Sequence, residues 1–195
     1  MKNSILLLLL LAATAFHSCS NDDDTQTPPF FQQEDPLAGY LAAAGFTNKN
    51  TYIDDNNNYE MGYMFTPKVK GKINSLVINT PDIVTALRVT IWDVATQLPI
   101  RTEFINVTIP NANKTYAIAP LLLQKDKGYA ITMNTSDYYS WQQPNQGAVD
   151  YPFMVGNISV DFALIDMGSA QVYPATGMAV NTYFGNVSFK FQRTL

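Results

Sequence analysis

Between Leu87 and Val94, apolar Leu87, Val89 and Ile91 alternate with Arg88 and Thr90. That period of two places successive side chains on opposite faces of a half-buried β-strand. Runs of the same kind lie on both sides of it. They are marked by Met61, Tyr63 and Phe65, by Leu76 and Ile78, and by Ile105, Val107 and Ile109. Tyr116 and Ile118, then Tyr129, Ile131 and Met133, continue the series. Phe153 and Val155, then Val160, Phe162 and Leu164, lead to the last run. There Val187, Phe189 and Phe191 face inward, with Ser188, Lys190 and Gln192 expected to face water. One helix is predicted: Asp35 is a good N-cap, Pro36 suits the first helical position, and Leu37 to Ala44 precedes a closing Gly45. Leu37, Tyr40 and Leu41 are the residues expected to pack it down. Many short strands with one helix define an all-β chain, a sandwich or a barrel.

The N-terminal residues read differently. Lys2 precedes an apolar run from Ile5 to Ala13, which ends at Ser18-Cys19. A cationic head, a short apolar core and small residues before a break describe a secretory signal peptide over residues 1–18. The run is shorter than the roughly 20 residues that span a bilayer. Ser18-Cys19 resembles the lipobox of bacterial lipoproteins, with Phe16 where that motif carries an aliphatic residue. The resemblance implies that Cys19 becomes an acylated N-terminus, and two or more chains anchor a protein stably. Residues 19–35, with Asp22-Asp23-Asp24 and Pro28-Pro29, read as a disordered acidic tether. The acidic run resembles the surface-export signal of some Gram-negative lipoproteins, so the expected address is the outer membrane, facing outward. Read blandly, the same run is a solvated spacer.

Charge follows this division. Five of the sixteen acids and one of the twelve bases precede Pro36, so residues 36–195 carry eleven of each. A formally neutral domain of about 160 residues has no basic footprint for nucleic acid, and is long enough to bury around 70% of its unfolded surface as one unit.

The segments Gly62-Tyr63-Met64-Phe65, Gly71 to Leu76, Val89 to Asp93, and Leu123 to Tyr129 occur in an order that resembles an uncharacterised β-sandwich domain of bacterial surface and polysaccharide-associated proteins. The resemblance covers roughly residues 59–140. It implies a jelly-roll-like sandwich used as an accessory or binding module, without established catalytic residues.

Several chemistries are missing. The one histidine, His17, and the one cysteine, Cys19, both lie in or at the end of the signal segment. Residues 36–195 therefore lack the parts of Ser-His-Asp and Cys-His catalysis and of His/Cys zinc sites. No Gly-rich phosphate loop occurs, so no cofactor is expected. Glycosidase chemistry needs only two acids about 5–9.5 Å apart, and Glu60, Asp93, Glu103, Asp150, Asp161 and Asp166 supply acids, none in a signature. No catalytic residue is assigned. Asp54-Asp55-Asn56-Asn57-Asn58 offers oxygen ligands but lacks EF-hand spacing, and Asx-rich stretches favour turns for local reasons. No metal is expected. Trp92 is expected to pack under a loop and Asp93 to cap the turn after it.

The binding candidates cluster at Tyr138, Tyr139, Trp141 and Gln142, with Asp150 and Tyr151 beyond Pro144. Rings that stack on sugar CH faces, beside amides and carboxylates that bind hydroxyls, point to a glycan. The competing reading is that the rings cap the open end of the sandwich. A surface protein that engages another protein through the same aromatics is the alternative function.

Overall fold

The computed structural model describes residues 30–195 apart from Asp55, residues 145–146 and residues 176–180. The signal segment, Cys19 and the acidic run lie outside the described residues. Residues 31–195 group as one unit.

Helix α1 (Pro36–Ala43) leads into β1 (Asn48–Tyr52), β2 (Tyr59–Pro67), β3 (Gly71–Ile78), β4 (Val84–Asp93) and β5 (Leu98–Val107). These are followed by β6 (Lys114–Leu123), β7 (Tyr129–Thr135), β8 (Tyr138–Gln142) and β9 (Phe153–Val155). The chain closes with β10 (Ile158–Met167), β11 (Thr182–Phe184) and β12 (Val187–Arg193). A six-stranded antiparallel sheet runs β5-β4-β7-β2-β10-β9, and two three-stranded sheets run β12-β3-β6 and β1-β8-β11. The chain crosses between sheets at β2 to β3, at β3 to β4, and again on either side of β6. The result is an all-β sandwich with a single short helix among the described residues.

The core forms where the period-two runs face each other. Met61, Tyr63 and Phe65 of β2, Ile73, Leu76 and Ile78 of β3, and Val187, Phe189 and Phe191 of β12 are all buried in one cluster. Phe189 lies 4.6 Å from the Phe65 ring and stacks on Tyr63 at 6.4 Å, centroid to centroid. A Cβ at Gly62 would strike the carbonyl oxygen of Ile131 on the neighbouring strand, so this position holds β2 against β7.

The outer face of the six-stranded sheet is covered as well. Trp92, Ala130 and Leu164 form a second cluster with Tyr173, whose ring meets Trp92 edge-on at 5.8 Å. Trp92 thus packs under a loop, as expected. Its Nε1 donates to Thr132 Oγ1 at 2.7 Å, and Thr132 donates in turn to the buried Glu60. Asp93 accepts from the Ala95 and Thr96 amides and pairs with Lys127 at 2.6 Å. These three partners hold its carboxyl below the usual carboxylate range.

The helix follows its sequence signals. Asp35 Oδ1 accepts from the Ala38 amide, Pro36 opens the first turn, and Gly45 has φ of 76°. Leu37, Tyr40 and Leu41 are buried.

Four expectations need correction. Residues 31–35, expected to be disordered, belong to the folded unit: Glu34 exchanges both backbone hydrogen bonds with Phe191, and its carboxylate accepts from the amide and side chain of Asn157. For the same reason Ser188, Lys190 and Gln192 do not face open water. Ser188 and Lys190 bind Asp35, and Gln192 donates to the Phe31 carbonyl. Ile109 falls beyond β5 and is exposed. Along β10 a register shift between Val160 and Phe162 sends Val160 and Ala163 into the core but Leu164 to the outer cluster.

Phe189 is fully buried between the sheets. Phe189→Ala is therefore expected to cost about 3–5 kcal/mol in urea-induced unfolding, and a loss below about 1 kcal/mol would contradict this packing.

Candidate functional site

The segment read as an aromatic loop is a strand. β8 lies between β1 and β11, pairing Trp141 with Lys49 on one side and Tyr183 on the other. Alternation then separates its rings. Tyr138 lies on one face, stacked on Tyr52 at 5.3 Å and edge-on to Tyr59 and Phe184. Tyr139 and Trp141 lie on the other. Tyr139 is buried, donates to Asn111 Oδ1 at 2.5 Å, and carries Lys49 Nζ 3.3 Å above its ring. Burial there lowers the Lys49 pKa. Tyr138 and Tyr139 are both buried among these partners.

Trp141 is the exception. It is half-buried and forms one wall of a cavity of about 330 Å³. Leu37, Ala38, Leu41 and Ala42 of α1, with Phe46, supply an apolar wall. Val77 and Asn79, continuing from β3, and Asn186 and Ser188 at the start of β12 form a floor on the face turned away from the core. Asn113 closes one end and Asp35 the other.

The polar side of this groove is a cluster of amides. Asn113 Oδ1 accepts from Asn79 Nδ2 at 3.1 Å and from Asn186 Nδ2 at 3.3 Å. Asn79 Oδ1 and Trp141 Nε1 are shielded from water and have no hydrogen-bond partner. Such buried, unpaired groups are uncommon and each costs about 1–3 kcal/mol. Asp35 is saturated: Ser188 Oγ donates to Oδ1 at 2.6 Å, and Lys190 Nζ lies 3.2 Å from Oδ2.

The other candidate residues are dispersed. Gln142 is half-buried on the face opposite Trp141. Asp150 is exposed and lines a separate, shallower hollow with Gln143 and Phe153. Tyr151 packs on Tyr40 and Phe162, and its hydroxyl bonds that of Tyr40. Of the six, only Trp141 reaches the groove. Its asparagines escaped sequence reading because residues 79, 113 and 186 are brought together only by the pairing of β12 with β3 and the turn before β6.

The acids are mostly engaged in structure. Glu60 receives Arg88 at 2.7 Å and the Thr132 hydroxyl. Arg88 also donates to the carbonyls of Ser169 and Ala170, which ties the segment after β10 to the sheet. Glu60 and Asp166 do share a cavity of about 170 Å³, but both oxygens of Glu60 are already taken. Glu103 pairs with Arg101, and Asp161 accepts from Thr66 and Ser159. Asp54 accepts from the Asn56 and Asn57 amides and the Tyr59 hydroxyl, the pattern of a locally satisfied polar turn. No cluster of metal-ligating side chains occurs among the described residues, and no helix among them is long and apolar enough to cross a membrane.

No family model matches the chain, and no curated protein is significantly similar to it.

The tyrosines behind the groove give a pH signature. Burial raises the pKa of Tyr40, Tyr63 and Tyr183 above the ordinary 10.0, and the Tyr151 hydroxyl raises Tyr40 further. A pKa raised by folding contributes stability that is present below the unfolded value and lost as pH climbs above it. An absorbance titration should therefore show part of the tyrosine ionisation delayed past pH 10 and coincident with loss of the circular-dichroism signal. Complete ionisation near pH 10 with the fold intact would contradict this arrangement.

Proposed function

We propose that this protein is a lipid-anchored module of the outer membrane, displayed on the cell surface and binding glycan in the groove beside α1. One observation carries the ligand class: a half-buried tryptophan, an amide cluster and an apolar helix face line one cavity. Ligand sites commonly combine apolar lining with a few convergent polar groups in volumes of about 300–1,000 Å³. This groove sits at the small end of that range, suited to a terminal sugar or a short stretch. The anchor rests on the signal segment and Cys19, and the resemblance to a polysaccharide-associated sandwich domain points the same way.

The rival reading, a structural or adhesin-type surface protein that engages another protein, draws on exposed apolar residues at the open edge. Leu98, Ile100 and Phe104 of β5, and Leu122 of β6, are exposed there. Yet β5 carries the Arg101–Glu103 pair on its core side, and β6 carries Pro120. Inward charges and prolines are devices that discourage edge pairing, so the glycan reading is preferred.

In the binding reading, a screen of the wild type on a glycan array should give a defined set of hits. Trp141→Ala should then weaken the best hit by about 1–3 kcal/mol, judged by analogy with base–aromatic stacking. Because Trp141 also packs on the core, the same variant should lower the melting temperature. Asn113→Ala should also weaken binding, and because it strips the buried Asn79 and Asn186 Nδ2 groups of their acceptor it should lower the melting temperature as well. A blank array would overturn the glycan assignment.

The anchor has its own test. Cys19→Ala should abolish incorporation of labelled palmitate and release the protein from membranes. Equal labelling of the variant would refute acylation at this residue.

A further inference from the structure

Building on the glycan reading, we infer that the groove selects an acetamido sugar, such as a terminal N-acetylhexosamine, over plain neutral sugars. Three features of its lining define the ligand's chemistry.

The first is charge. Among the described residues Asp35 is the only ionisable one lining the cavity, and both of its oxygens are occupied by Ser188, Lys190 and the first turn of α1. The lining residues themselves thus hold no free charge for a carboxylate, phosphate or ammonium group, which favours a neutral ligand; one cation outside the lining, Lys49, sits over the Tyr139 and Trp141 rings, 5.6 Å from the centroid of the latter. The second is the pair of unsatisfied atoms. Asn79 Oδ1 is an acceptor without a donor, and Trp141 Nε1–H is a donor without an acceptor. Both belong to cavity-lining residues. The Nδ2 donors of Asn79 and Asn186 both go to Asn113 Oδ1, and no donor reaches Asn79 Oδ1. The third is the wall opposite. Leu37, Leu41 and Phe46 present apolar surface with no polar side-chain atom across the groove from the asparagines.

A hydroxyl-only sugar can meet the polar demand but leaves the apolar wall against its hydroxyls, which costs desolvation. An acetamido group meets all three. Its N–H donates to Asn79 Oδ1, its carbonyl accepts from Trp141 Nε1, and its methyl group covers the leucines. Both atoms are shielded from water in the unliganded protein, so binding requires the Asn79 and Trp141 side chains to rotate and present them.

The probes are N,N′-diacetylchitobiose and cellobiose, titrated calorimetrically into the full-length protein in detergent. Diacetylchitobiose should bind about tenfold or more tightly than cellobiose, since sites built around a ligand's hydrogen-bonding groups reject analogues that lack them. Trp141→Phe retains an aromatic ring but lacks the N–H donor, and should reduce that preference. Asn79→Leu keeps a side chain of similar size but removes the Oδ1 acceptor, and should likewise reduce that preference. Equal affinity for the two sugars, or a preference for cellobiose, would overturn the acetamido assignment while leaving glycan binding intact. A preference that survives both substitutions would overturn it too. Binding of neither sugar, with hits elsewhere on the array, would remove the acetamido inference alone; a blank array would remove the glycan reading with it.

Discussion

Tyr40 is the contact on which the groove depends. α1 is only eight residues long, too short to hold its shape in water without tertiary packing. What fixes it is one ring, fully buried, which meets Phe46, Tyr151, Phe153 and Tyr183 and closes a hydroxyl pair with Tyr151. Asp35 adds a polar latch at the helix start, joining the Ala38 amide to Ser188 and Lys190 of β12. With its inner side so fixed, the helix stands beside the β12–β3 face and leaves a channel between them. The groove is thus a by-product of how a short helix seals one edge of a sandwich.

The same latch explains why residues 31–35 belong to the folded unit. β12 is an edge strand, and the free backbone groups of its Phe191 are met by Glu34. Glu34 is further held by Asn157, and Phe31 lies under the Arg193 guanidinium, 4.2 Å from ring centroid to charge. Composition alone reads this stretch as the polar end of a tether over residues 19–35, following Pro28-Pro29. Its order comes from a strand more than 150 residues away in sequence, and no local signal reveals that.

The rest of the fold divides along a similar line. Strands with strict apolar alternation were legible, because each buries one face in the common core; β2, β3, β7 and β12 are the clearest cases. The helix was legible from Asp35, Pro36 and Gly45. The β1-β8-β11 sheet was not. All five residues of β1 are exposed, β11 has three residues, and β8 resembles a turn-prone aromatic loop. Such strands form because neighbours offer hydrogen bonds and rings to stack on, as Tyr52 stacks on Tyr138. The candidate site was only partly legible for the same reason. Trp141 announced itself by composition, whereas its amide partners are assembled by register between distant strands.

The chain has two tryptophans, and they differ sharply in surroundings. Trp92 Nε1–H is sealed in a bond to Thr132 under the Tyr173 loop, whereas Trp141 Nε1–H has no partner and belongs to the groove wall. Two-dimensional ¹H–¹⁵N spectroscopy during titration with diacetylchitobiose reads both indoles in one experiment. The groove account predicts that the Trp141 indole resonance shifts progressively and saturates while that of Trp92 stays in place. A bound sugar that moves the Trp92 resonance, or leaves the Trp141 resonance unchanged, would contradict it.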